Sequence, residues 1–201
     1  GAGEQRQVTV MFCDLVGSTS LVGRIGAESY HHLLTQDYLP PCCAIINASG
    51  YVARIVGDCI VAYFGYPVAR EDAAECAIRA GLRIVESVAR ELPALGVRID
   101  VRVALATGVS IVGDLVGIGY SEFDALSGQA PNLAFRMLSI AAAGVVVVAD
   151  ETRRLAGDFF VYGDAGSHDF KGFDQPTRVW RVLAESRRPA RFDAQHQAPV
   201  D

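Results

Sequence analysis

The chain lacks a basic excess: 18 Lys and Arg stand against 23 Asp and Glu, a formal net charge of -5 over 201 residues. Nucleic-acid binders draw most of their affinity from cations on phosphate, so that class is disfavoured. A disulfide framework is also missing. The five cysteines (Cys13, Cys42, Cys43, Cys59 and Cys76) are odd in number, form no CxxC and lie mostly inside apolar runs. That pattern predicts buried, reduced thiols in a cytoplasmic protein, with no zinc site. No apolar run reaches membrane-spanning length without a charge or turn residue, and no signal-peptide pattern opens the chain, so no membrane contact is expected of this segment. His31, His32, His168 and His196 have no metal-ligand spacing, and Walker A, GxGxxG and GxSxG patterns do not occur.

What is present is globular: 51% hydrophobic and 20% charged residues, enough for one domain with a substantial core. Residues 8–12 read as an apolar strand closed by Asp14, and 15–19 as a turn into a helix through Leu21, Val22 and Ile25. A longer helix is expected over 27–48, burying Tyr30, Leu33, Leu34, Leu39, Ile45 and Ile46, with Pro40-Pro41 kinking or splitting it. Runs 51–56 and 59–64 form a hairpin about Gly57-Asp58. Helical spacing covers 71–92 and ends at Pro93 and Gly96. Strand 97–106 precedes Thr107-Gly108 and a second apolar run over 109–116. Then come a loop at 117–124, a helix over 129–140, a buried strand at 145–148, a brief helix to Leu155 capped by Asp150, and closing strands 159–162 and 177–183. The expected class is α+β, a ferredoxin-like βαββαβ core with extra strands and helices packed on a mixed sheet. Residues 1–7 read as an N-terminal extension, 8–185 as the domain, and 186–201 as a polar linker or tail.

Two segments carry the chemistry, each placing one aspartate at the edge of an apolar run: Val8-Thr-Val-Met-Phe-Cys-Asp14 and Arg54-Ile-Val-Gly-Asp58. Either aspartate alone is a common turn residue. At the ends of neighbouring strands, the two could converge on a hard cation that carboxylates share with substrate phosphates. Gly17-Ser18-Thr19 follows at a helix start, where free N–H groups and hydroxyls suit phosphate, although an ordinary N-cap would look the same. Asn132 and Arg136 lie four apart on one helical face; by spacing alone they are a solvated polar stripe. Arg102 interrupts an apolar strand, to meet an acid or a phosphate. Lys171-Gly172 reads as a turn.

Together these motifs resemble the class III nucleotidyl cyclase catalytic domain over about 8–183. Phe12-Cys-Asp14-Leu-Val-Gly-Ser-Thr19 looks like its first metal motif and Ile55-Val-Gly-Asp58 through Gly65 its second. Gly128-Gln-Ala-Pro-Asn132 through Met137 looks like the helix carrying the transition-state Asn and Arg. Lys171-Gly-Phe173 with Val179-Trp-Arg-Val182 looks like the closing segment. The resemblance implies two Mg²⁺ or Mn²⁺ ions per site, held by Asp14, Asp58 and the Leu15 carbonyl. It implies phosphate binding by Val16, Gly17, Ser18, Thr19, Arg102 and Lys171, with Asn132 orienting the ribose and Arg136 stabilising the pentavalent phosphate.

The resemblance also implies a head-to-tail homodimer in which one chain supplies the aspartates and its partner Asn132 and Arg136. It departs at the base pocket. Adenylate cyclases of this family usually carry Lys where this chain has Arg54, and usually Asp or Thr where it has Ala125, with Asp124 adjacent. Neither position shows the Glu and Cys expected of guanylate cyclases. Pro131 before Asn132 fits only a first helical turn. The expectation is an adenylate cyclase converting ATP to cyclic AMP, with C-terminal regulatory domains fused in a longer protein. The alternatives are a guanylate cyclase or a degenerate nucleotide-binding regulatory module.

Overall fold

Apolar residues alternate along the two long central strands. In β1 (Glu4–Leu15), Met11 and Cys13 face one side and Val8 and Val10 the other, all fully buried. In β6 (Val101–Val112), Val103 and Leu105 face the first side and Ala104 and Ala106 the second. Such two-sided alternation requires cover on both faces of a sheet. A computed structural model of the chain, describing residues 4–112 and 126–186, shows that arrangement.

The main sheet runs β2-β3-β1-β6-β8-β10-β9, with β2 Tyr51–Val56, β3 Cys59–Phe64, β8 Val146–Ala149, β9 Phe160–His168 and β10 Thr177–Glu185. A short β7 (Leu126–Ser127) pairs with the far end of β6. In the first four strands of the main sheet, β2-β3-β1-β6, each neighbouring pair is antiparallel, and the four form the expected βαββαβ core. Strand β8 joins β6 in parallel, which makes the sheet mixed. One face is covered by α3 (Leu39–Asn47), α4 (Ala73–Val88) and α6 (Asp150–Ala156). The other is covered by α5 (Gln129–Met137), which buries Ala130, Ala134 and Met137. Small residues at these contacts let α5 lie close to the sheet: a Cβ on Gly108 would sit 3.3 Å from that of Ala130.

Several expectations are corrected. Strand β1 begins at Glu4, because residues 4–7 pair with 109–112 of β6 although their own sequence is polar. Thr107-Gly108 does not break the following strand, which runs through to Val112. The helix expected to reach residue 92 ends at Val88. Pro93 disfavours helical geometry just before it, and residues Arg90–Leu92 (β4) instead pair with Val97–Ile99 (β5) as a small ribbon.

The helix expected over 27–48 comprises α2 (Ala27–His32), a π-helical turn (Leu33–Tyr38) and α3, with Pro40 and Pro41 in the first turn of α3. Asp150 opens α6 as its first residue and makes no cap; its carboxylate accepts the Trp180 indole N–H at 2.8 Å. All five cysteines are free. No described helix is long and apolar enough to cross a membrane.

Candidate active site

The parity of β1 places Asp14 on the face of Val8, Val10 and Phe12, the face that α5 covers. Arg102 stands opposite Asp14 in the β1–β6 ladder and shares its face with Ala104 and Ala106. Their side chains meet in a bidentate pair, Nε to Oδ1 at 2.7 Å and Nη2 to Oδ2 at 3.1 Å. Hydrogen bonding to Asp14, above all, raises the Arg102 pKa against the opposing effect of burial. On the other side of β1, Cys13 pairs with Ile60 of β3, so the β2–β3 turn arrives beside the end of β1. Asp58 in that turn accepts the Leu15 N–H on Oδ2 at 3.0 Å. The two aspartates therefore converge. The Cys59 thiol registers both: burial first, then the charges of Asp14 and Asp58, push its pKa up to about 11, which keeps it protonated and unreactive.

Two tyrosines support this corner: Tyr30, expected only on a buried helix face, and Tyr38, which the sequence did not single out. The Tyr38 hydroxyl donates to the Asp58 carbonyl at 2.8 Å from a fully buried position. The Tyr30 phenol reaches the side chains of Ser18 and Asp58, and burial followed by the Asp58 charge raises its pKa. The signal for Tyr30 in the sequence was a polar tip on an otherwise Leu- and Ile-lined face. Only tertiary packing decides where that tip points.

Helix α1 (Ser18–Ile25) starts from Gly17 in the left-handed conformation at φ 67°, with no side-chain cap. Leu21 N–H to the Gly17 carbonyl is its first bond, so the donors of the preceding turn have no helical partner. Val16 differs from the rest of the expected phosphate cradle: its N–H is already taken by the Asp100 carbonyl at 2.9 Å.

Asn132 and Arg136 share one face of α5, and the Arg136 Nε donates to Asn132 Oδ1 at 3.0 Å. Phe135, 58% exposed, lies edge-on to Phe12 with ring centroids 5.6 Å apart, which seats the C-terminal half of α5 above the end of β1. A cavity of about 430 Å³ results, lined by Asp14, Arg102, Phe135, Arg136, Asp169 and Lys171 among others. Lys171 is the chain's one lysine against 17 arginines. Asn132 does not line this cavity; its amide nitrogen faces Gly172. A larger groove of about 830 Å³ follows the N-terminal half of α5 and is lined by none of the candidate side chains. Arg54 is exposed on β2, paired in the ladder with Val61, and is not among the residues that line the smaller cavity. Asp124 and Ala125 lie outside the described residues.

The donors at the Asp14–Asp58 corner are all oxygen, which suits Mg²⁺ or Mn²⁺ rather than a thiophilic metal. Among the described residues no group of three or more His, Cys, Asp or Glu side chains is arranged to hold a metal. Two carboxylates completed by substrate phosphates is the arrangement Mg²⁺ commonly uses, so the residues fit a nucleotide-bound ion.

A sheet carrying paired carboxylates at neighbouring strand ends, faced by a helix with Asn and Arg, defines a domain built to handle phosphate. The chain belongs to the family of adenylate and guanylate cyclase catalytic domains, whose model matches residues 2–182. Among its relatives, an uncharacterized protein of Rhizobium meliloti is 38% identical over 193 residues, 96% of this chain and 19% of that protein. Adenylate cyclase type 9 of Xenopus laevis is 27% identical over 161 residues, 79% of this chain and 12% of that protein. The chain thus spans less than a fifth of either relative's length. Among solved structures, the adenylyl cyclase CyaB from P. aeruginosa superposes with a TM-score of 0.79 at 27% identity, covering 92% of this chain and 97% of that one. The guanylate cyclase domain of RhGC from Catenaria anguillulae, in complex with GTP, also gives 0.79 at 25% identity, covering 91% and 100%.

Proposed function

We propose that this domain is an adenylate cyclase, converting ATP to 3′,5′-cyclic AMP and pyrophosphate in a head-to-tail homodimer. The observation that carries this reading is the approach of the Asp58 turn to Asp14 at the end of β1, with Asn132 and Arg136 presented together on one face of α5, in a chain of this family. Asp14, Asp58 and the Leu15 carbonyl would hold two Mg²⁺ or Mn²⁺ ions, which when bound polarise the ribose 3′-hydroxyl and neutralise charge on the triphosphate. The 3′-oxygen attacks the α-phosphorus, the bond to the bridging oxygen breaks, pyrophosphate leaves and the hydroxyl proton passes to solvent.

This chain's residues supply positioning and charge. The N–H groups at the start of α1 that have no helical partner, with the Ser18 and Thr19 hydroxyls, receive the β- and γ-phosphates. Arg102 and Lys171 add cationic contacts to the phosphates. Arg136 is held by Asn132 and meets the charge that grows on the pentavalent phosphorus, while the Asn132 amide orients the ribose. Arg54, Asp124 and Ala125 form the base-reading set, where Arg cannot replace Lys conservatively in a tight pocket. The domain would act within a longer cytoplasmic protein, with regulatory regions fused to it.

The guanylate cyclase reading has one specific support, the likeness to a domain solved with GTP. Product analysis with ATP and GTP in Mg²⁺ and Mn²⁺ separates the readings. Cyclic AMP is expected in preference, and Asp14→Ala and Asp58→Ala should each reduce it by about 10²-fold or more, since each removes an ion's ligand. Preferred cyclic GTP formation would establish the second reading. Tight nucleotide binding without turnover would mark a regulatory module.

A further inference from the structure

Arg102 holds the carboxylate that a metal would need. Both Asp14 oxygens are engaged, at 2.7 and 3.1 Å. The backbone fixes this pair, because the two residues are direct partners in the β1–β6 ladder. The pair is partly sheltered, with the Asp14 side chain 17% and the Arg102 side chain 30% exposed. Asp58 is held differently: the Leu15 N–H and the nearby Tyr30 hydroxyl are neutral donors, and the Arg102 charge reaches it through space without a hydrogen bond. A guanidinium fork matches a phosphate as well as a carboxylate, so Arg102 has two competing anionic partners once a triphosphate enters the cavity.

We propose that Arg102 is an exchangeable counter-ion that closes Asp14 to metal until a nucleotide triphosphate draws it away. The inference rests on the cyclase reading for the identity of the metal and the triphosphate. It makes metal admission conditional on nucleotide: free Mg²⁺ or Mn²⁺ meets an Asp14 already neutralised, whereas a nucleotide removes the guanidinium and brings phosphate oxygens to complete the coordination. Metal and nucleotide then each strengthen the other's binding by the same factor, as linkage requires.

The test measures Mn²⁺ binding to the full chain by the loss of the free-ion EPR signal, with and without 3′-deoxy-ATP, which keeps the triphosphate but cannot cyclise. The parent should bind Mn²⁺ weakly alone and about 5- to 150-fold more tightly with the nucleotide, the usual range for coupled sites. Arg102→Gln should bind Mn²⁺ about tenfold more tightly than the parent without nucleotide, and gain less when nucleotide is added. Arg102→Lys keeps the charge but not the fork, so its nucleotide-free affinity should fall between the two.

If Arg102→Gln binds no more tightly than the parent, the exchange is wrong. If Arg102→Lys equals the parent while Arg102→Gln is tighter, charge alone explains the gain and occupancy of Asp14 is refuted. No Mn²⁺ binding by the parent even with 3′-deoxy-ATP overturns the metal reading, and the exchange with it. Loss of binding in Asp14→Asn and Asp58→Asn shows that the metal reading stands whichever way the Arg102 variants behave.

Discussion

One phenol stands beneath both candidate metal ligands. The Tyr38 hydroxyl donates to the Asp58 carbonyl, with the Cys13 carbonyl 3.4 Å and the Cys13 thiol 3.5 Å away. Burial, above all, raises its pKa well beyond the usual phenol range, so it stays a neutral donor at working pH. A single oxygen thus ties the strand end before Asp14 to the turn that carries Asp58. Tyr38→Phe keeps the ring and removes only that tie. It should cost about 1 kcal/mol of stability, the net worth of one hydrogen bond, read as a small fall in Tm. It should also raise the Mg²⁺ concentration needed for half-maximal cyclase activity several-fold, because the ligand spacing loosens. An unchanged Mg²⁺ dependence would reduce Tyr38 to a core residue. The aspartates themselves were legible in the sequence, since each ends an apolar run. Tyr38 was not legible, because nothing local to residues 33–38 reveals that a hydroxyl there reaches two strands remote in sequence.

At the level of elements, the sequence marked a break near Pro40-Pro41 but not its form. The chain resolves it upstream, in the π-helical turn Leu33–Tyr38, where the Leu39 N–H bonds back to Leu34. The prolines then fall in the opening turn of α3, where a missing N–H is tolerated. Such turns are frequent at functional sites, and this one presents Tyr38 to the corner where Asp58 approaches the end of β1. The handover from α3 to β2 is as tight. Gly50 N–H closes the helix on the Ile46 carbonyl at 2.7 Å, and a Cβ on Gly50 would lie 2.6 Å from the fully buried Phe64 ring. Gly50→Ala must push Phe64 off its place in β3, the strand that begins at the Asp58 turn. The expected loss is about 1–3 kcal/mol, measured as a lower urea midpoint with an unchanged m-value. A wild-type midpoint would mean that the ring moves freely, contrary to its packing.

For the whole molecule, the order of strands and helices was legible because periodicity separates 2 from 3.6 along most of the chain. The extension of β1 to Glu4 and the continuity of β6 through Gly108 were not, because pairing across the sheet, rather than either strand's own pattern, creates them. The assignment of site residues to one protomer or two is likewise a property of the assembly. Arg136 lines the cavity of its own chain's Asp14, whereas Asn132 faces away toward Gly172. A shared-site dimer pairs Asp14 and Asp58 of one chain with Asn132 and Arg136 of the other. Asp58→Ala and Arg136→Ala chains, each inactive alone, should then complement when mixed. Random exchange of equal amounts makes half the dimers mixed, each with one intact site of two, so about a quarter of parental activity should return. Sites built within single chains cannot be rescued this way, because every cavity would keep its own lesion. A mixture that associates by sedimentation yet stays inactive would therefore assign Arg136 to the Asp14 of its own chain.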